Sequence, residues 1–235
     1  MPGPVQNNGL SAAAAALQML ERRQQVLANN LANASTYGFK AETTFARLMD
    51  NQLAKAGAAL DLSPGNLTET GNPLDLAMEG EGFFVIDTPA GERLVRSGSF
   101  RLDATRQLVD GQGNPLLSEN GAVRIPANGV VEIDSTGVVN VAGKPLARLR
   151  VERVANGVDL QHEGGTHFVP DASRADVPAT ERRLKQGFLE ESNVNTMLAM
   201  TDMISVLHRY GAAQKTLSTI DSVRGVAVTD LAKPV

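Results

Sequence analysis

The apolar positions of this chain follow two rhythms, one at both ends and another in the middle. Near the N-terminus Leu10, Ala13, Leu17, Leu20, Leu27 and Leu31 recur at steps of three and four, with Gln24 filling the one polar slot. Near the C-terminus Ala199, Met203, Val206, Tyr210, Ala213, Leu217 and Ile220 repeat that spacing, which weakens through Arg224 to Ala227 and Leu231. A repeat averaging 3.5 residues is the seam along which two helices pack. It predicts a helix from 10 to about 34 and another that Asn193 or Asn195 caps. The C-terminal helix carries a second stripe at Met200, Ile204, Leu207 and Gly211. A helix that is apolar on two sides needs partners on two sides.

Between these arms the period shortens. Runs at Gly82–Asp87, Arg93–Arg96, Gly98–Leu102, Val130–Ile133, Val138–Val141 and Ala147–Val154 alternate with turn pairs such as Asp110-Gly111 and Asn120-Gly121. That pattern predicts short strands joined by hairpins. Glycines 113, 121, 129 and 137 fall eight apart, which reads as a recurrent hairpin length because the intervening residues do not match. Phe45, Leu48 (or Met49), Gln52 and Ala56 suggest a further helix before Gly57. The fold class is α+β: paired terminal helices forming a coiled-coil-like core domain that flanks an inserted all-β domain. The expected boundaries are an N-terminal arm over 1–40, a connecting segment over 41–73 and a β-rich domain over 74–169. An exit linker with a short strand follows over 170–189, and the C-terminal arm runs over 190–235.

Composition narrows the function classes. Net charge is −4 without a Lys/Arg block, which argues against nucleic acid as a partner. With no cysteine, disulfides, zinc thiolate sites and thiol catalysis are excluded. MPGPVQNNGL shows neither a basic n-region nor an apolar h-region, and no run approaches the roughly 18 apolar residues of a membrane span. The expectation is a chain that either stays in the cytosol or leaves the cell without a cleaved signal peptide, and that does not insert in a membrane. The best catalytic constellation is Glu79 with Glu81, which a strand would place on one face about 7 Å apart. A turn leading into the Phe83-Phe84 strand is the preferred explanation of both. His162, His167 and His208 match no metal-ligand spacing and read as solvated histidines. Gly80-x-Gly82 lacks the following helix of a dinucleotide site. No catalytic residue, metal or cofactor is expected.

The residues at the joints carry a resemblance. Ala28-Asn29-Asn30-Leu31-Ala32-Asn33, continuing through Ala34-Ser35-Thr36-Tyr37-Gly38-Phe39-Lys40, resembles the N-terminal signature of bacterial flagellar basal-body rod and hook proteins. Gly71-Asn72-Pro73-Leu74-Asp75-Leu76-Ala77 followed by Gly80-Glu81-Gly82-Phe83-Phe84-Val85 resembles the entry to that family's β domain. Ser97-Gly98-Ser99-Phe100-Arg101-Leu102 and Gly187-Phe188-Leu189-Glu190-Glu191-Ser192-Asn193-Val194-Asn195 resemble its next strand and the run into its last helix. The matches span almost the whole chain in the family's order. One departure stands out: Leu94-Val95-Arg96 occupies the place of an aromatic-Thr-Arg segment.

The resemblance implies a non-enzymatic axial subunit of the flagellar basal body, a periplasmic rod. Its terminal helices would stack with other copies of itself and with neighbouring rod and hook proteins. Transit would be through the flagellar type III export apparatus. Length and the Gly143–Asp159 stretch look most like the proximal-rod subtype, then the distal. The expected assembly residues are Leu10, Leu17, Leu20, Leu27, Leu31, Asn193, Asn195, Met203, Val206, Tyr210, Ala213, Leu217 and Ile220. Asn29, Asn30 and Asn33 would hydrogen-bond across a subunit contact and fix register. Gly38 would turn the chain at positive φ while Phe39 anchors that turn on a neighbour. Phe45 and Met49 resemble a short Phe-x-x-x-apolar export signal.

Overall fold

The computed structural model describes residues 8–48, 54–127, 129–154, 160–169 and 174–231. It is α+β, with a long helix near each end and strands between them. The chain divides into two compact units and passes between them after Ala32, Ala41, Ala59 and Val194.

One unit holds the two helices and a hairpin. Helix α1, Asn8–Ala32, includes the Ala12–Ala16 run, the residue type with the highest helix propensity. Helix α2, Thr196–Leu231, begins where Asn195 Oδ1 accepts the Leu198 N–H at 3.1 Å, so Asn195 is the cap of the two asparagines considered. Arg23 Nη2 donates to Asp202 Oδ2 at 3.1 Å, and the Tyr210 hydroxyl donates to Glu21 Oε1 at 3.0 Å. These contacts descend along α1 while they rise along α2, the order of antiparallel neighbours.

The helix expected over Phe45–Ala56 is a two-stranded hairpin, Glu42–Leu48 with Ala54–Leu60; residues 49–53, Met49 among them, lie outside the described residues. Three apolar matches in one short window are weak evidence for a helix, and Thr43-Thr44-Phe45 favours extended backbone. The hairpin also depends on a distant neighbour. Asn30 Oδ1 accepts the Glu42 N–H at 2.9 Å and Asn30 Nδ2 donates to the Glu42 carbonyl at 2.8 Å. One side chain thereby satisfies both backbone groups of the first strand residue.

The other unit is built around a six-stranded antiparallel sheet. Its order is Gln161–His162, His167–Val169, Gly91–Val95, Phe83–Thr88, Val151–Arg153 and Ala175–Asp176. Alternation along Phe83–Ile86 sends Phe84 and Ile86 into one apolar cluster and Phe83 and Val85 into another. A strand buried on both faces reads as a continuous apolar run rather than as alternation. Phe84 meets Phe100 edge-on at 5.6 Å in the first cluster, and Phe83 meets Phe168 at 5.4 Å in the second.

Most expected strands are present, with shifts. Only Arg101–Leu102 forms a strand from the Gly98–Leu102 run; Ser99 makes an isolated bridge to Asp75, and the Gly98 carbonyl accepts the Leu76 N–H at 2.9 Å. The Ala147–Val154 run splits into Lys144–Arg148 and Val151–Arg153, which belong to different sheets. The stretch read as an exit linker carries two strands: Ala175–Asp176 on the edge of the large sheet, and Leu184–Gln186 paired with Leu76–Met78.

Candidate assembly surface and buried joint

On α2 the seam residues Met203, Tyr210, Ala213, Leu217 and Ile220 are half-buried, and Ala199 and Val206 are buried. Their helix neighbours one residue round are not. Met197, Met200, Ile204 and Leu207 are exposed, Ile204 by 58%. The helix therefore carries a covered stripe and an uncovered one, both at three-four spacing. On α1, Leu17, Leu20, Leu27 and Leu31 are half-buried, while Val26 and Asn30 lie deepest. Val26 lies outside the expected seam, one position before Leu27. The side chain of Leu10 lies outside the described residues. The hydrogen bond to Glu21 holds the Tyr210 hydroxyl above its ordinary pKa.

The expected asparagine roles divide. Asn30, 6% exposed, spends both ends of its amide on Glu42 of its own chain, so its register bonds are intramolecular rather than across a subunit contact. Asn29 is exposed, and Asn33 accepts from the Thr36 hydroxyl at 3.3 Å. Asn193 ties three segments together: its Oδ1 accepts the Ala41 N–H at 2.8 Å, and its Nδ2 donates to the Asp61 and Ser63 carbonyls at 2.9 and 3.1 Å.

Gly38 has φ +72°, and a Cβ there would overlap the Ser97 backbone, so the turn demands glycine twice over. Phe39, expected on a neighbour, is buried in its own chain and stacks on His162 at 5.5 Å. Phe45 is 40% exposed, and Gly57 leaves the room its ring occupies.

The segments that carry the sequence resemblance converge on one carboxylate. Glu190 Oε1 accepts from Lys40 Nζ at 2.7 Å and from the Gly65 N–H at 3.0 Å; Oε2 accepts from Arg96 Nε. Lys40 also donates to the Ser63 carbonyl at 2.6 Å. Arg96 Nη2 reaches the Met78 and Gly80 carbonyls at 2.8 Å, and its Nη1 reaches that of Gly82. The Glu190 carbonyl takes the Gly38 N–H at 2.7 Å. Lys40 and Glu190 are each 1% exposed, and Arg96 is buried beside them. Burial pulls the Lys40 ammonium below its ordinary pKa, against the opposing pull of Glu190. Lys40, Arg96 and Glu190 lie within or beside the motifs that carry the resemblance, and nothing in their spacing marks them as partners. The available signal was a charge placed directly after a large apolar residue, Phe39, Val95 or Leu189.

The carboxylates considered for catalysis sit in a bend, not a strand: Glu79 pairs with Lys185 and Glu81 is exposed. Two histidines expected in solvent are not there. His162 packs against Phe39 and Phe168, and buried His167 meets Asp110 Oδ2 through Nε2 at 3.1 Å. Burial alone would raise Asp110. Hydrogen bonds from His167, from the Asn114 side chain and from the Asn114 and Gln112 N–H groups outweigh it and hold the carboxyl at about 2. Among the described residues, no group of three or more His, Cys, Asp or Glu side chains could hold a metal ion. No helix among them is long and apolar enough to cross a membrane.

Three family models match in chain order. The flagella basal body rod protein model covers residues 7–40, the flagellar hook protein FlgE/F/G D1 domain covers 77–141, and the flagellar basal body rod FlgEFG protein C-terminal model covers 185–229. The flagellar basal-body rod protein FlgF of Mesorhizobium japonicum is 34% identical over 212 residues, covering 85% of this chain and 87% of that protein. FlgF of Escherichia coli is 32% identical, covering 92% and 95% respectively. FlgG of Bacillus subtilis is 29% identical, covering 88% and 92%. Buried joint, helical arms and full-length similarity together place the sequence: the chain belongs to the flagellar basal-body rod protein family and is most like FlgF.

Proposed function

We propose that this chain is a structural, non-enzymatic subunit of the flagellar rod, a helical shaft that connects the motor to the hook and is needed for motility. Its terminal helices pair as a coiled-coil-like core that flanks an inserted β domain, over the boundaries drawn from the sequence. The observation that carries this reading is the uncovered stripe Met197, Met200, Ile204 and Leu207 beside a covered one on the same helix. A second apolar stripe at helix-packing spacing asks for a second partner, and other copies of this chain with neighbouring rod and hook proteins supply it. Similarity to FlgF favours the proximal rod, with the distal rod as the alternative. The half-exposed Phe45, with Met49, would meet the type III export apparatus in transit, without cleavage of a signal peptide.

Ile204→Asp tests the reading. Ile204 is exposed, so the variant should fold with stability within about 0.5 kcal/mol of wild type. In assembly its charge would be buried unpaired, and purified basal bodies should lack rods beyond this subunit. Normal rods and motility in cells that carry only Ile204→Asp would overturn the proposal.

A further inference from the structure

The methionines of this chain are unevenly placed. Among the described residues Met78 is buried, and Met19 and Met203 are half-buried. Met197 and Met200 are 77% and 52% exposed. These two lie one turn apart on α2, at the head of the uncovered stripe that Ile204 and Leu207 continue. A thioether is apolar and pliant, which suits a surface that must fit more than one partner. It is also open to oxidation by a peroxide, which the leucine and isoleucine of the same stripe are not. Reaction follows access, so the two sulfurs placed to react first are the two in the stripe.

We propose that Met197 and Met200 form an oxidation site through which a peroxide blocks entry of this chain into the rod. A sulfur lone pair takes one peroxide oxygen: an S–O bond forms, the O–O bond breaks, and the rest of the peroxide leaves as water or an alcohol. The thioether loses two electrons to the peroxide, and the product is a polar sulfoxide. On the free helix the new oxygen stays hydrated and the fold is undisturbed. Under a partner helix it loses that water against apolar side chains, so the penalty falls on assembly alone. Incorporation covers both sulfurs, and oxidation therefore acts before assembly and not after it. Reaction of the free chain stands on exposure by itself, whereas the block rests on the reading of this stripe as an assembly surface.

Hydrogen peroxide is the probe. The purified full-length chain is treated with it, and sulfoxide at each methionine is followed by peptide mass spectrometry. Met197 and Met200 should oxidise about tenfold faster than Met78, with Met19 and Met203 between them. In purified basal bodies treated alike, both should be protected to the level of Met78. In cells, a sublethal dose is given as flagellar assembly is induced, and completed rods are counted against an untreated culture of the same strain. Wild type should lose most of its new rods. Met197→Leu/Met200→Leu removes both sulfurs and should lose few. Met197→Gln/Met200→Gln places a permanent polar group at both exposed positions; it should fold, yet build few rods without any peroxide. Four results would each overturn the proposal: oxidation of Met197 and Met200 no faster than that of Met78, or no protection in basal bodies; equal peroxide losses in wild type and the leucine double variant; normal rods from the glutamine double variant; or no rods from the untreated leucine double variant. Ile204→Asp separates the two readings. Normal rods from that variant would overturn the assembly surface itself, whereas rodless Ile204→Asp cells beside any of the four results would leave the rod reading standing and remove only the oxidation site.

Discussion

Replacing Glu190 with Gln keeps the shape of the buried joint and removes one charge. The carboxylate serves Lys40, Arg96 and the Gly65 N–H at once, with both cations out of water. Removing one partner of a buried ion pair costs about 3–5 kcal/mol. The folded variant has one escape: Lys40, already pulled down by burial, can release its proton. Holding a lysine neutral at pH 7 when its unfolded form titrates near 10.5 costs about 5 kcal/mol, which sets the ceiling on the loss. With Lys40 neutral in the folded variant, the unfolded variant binds up to one more proton than the folded one. Its stability must therefore rise with pH, by about 1.4 kcal/mol per pH unit relative to wild type. Urea denaturation of wild type and Glu190→Gln at pH 7, 8 and 9 measures both quantities. Adding Lys40→Met to Glu190→Gln removes the cation that lost its partner and should recover about half of the loss. A loss at pH 7 below about 1 kcal/mol would refute the buried-charge argument, and a loss that does not change with pH would refute the neutralisation of Lys40.

Three other perturbations probe different parts of the chain. Acid should weaken the fold through Asp110. Its folded value is about 2 against 3.8 ordinarily, so its contribution of about 2 kcal/mol is complete above the ordinary value and lost as pH falls towards the folded one. Chemical denaturation of wild type and Asp110→Asn between those limits checks it, and parallel curves would refute it. Asn195→Ala removes the cap from the Leu198 N–H and should cost about 1 kcal/mol, with faster amide exchange confined to the first turn of α2. Asn30→Ala removes the two amide bonds to the Glu42 backbone and should cost about 2–3 kcal/mol, with amide exchange accelerating at Glu42.

Much of the architecture was legible because periodicity is a local property. Both helices, and the Phe83–Thr88 and Val138–Val141 strands, follow from which side chains recur at which spacing. Along α2, Ala199, Met203, Val206, Tyr210, Ala213, Leu217 and Ile220, which share that spacing, are buried or half-buried. The Phe45 segment was misread because its pattern is short and its conformation is set from elsewhere. The Asn30 amide and the space above Gly57 hold it extended, and neither is a neighbour in sequence.

Local pattern was enough to say where the chain is helical, where it turns to strands, and which family it resembles. Each of those depends on residues within a few positions of one another. The fate of the charges and polar groups was settled by contacts between distant segments. Lys40, Arg96 and Glu190 stand 94 and 150 positions apart along their bonded pairs, and spacing carries no information about which buried charge will meet which. Burial makes such a meeting obligatory, because an unpaired charge out of water costs more than a helix cap or a turn can return. The identity of the partners is fixed by the fold that brings them together.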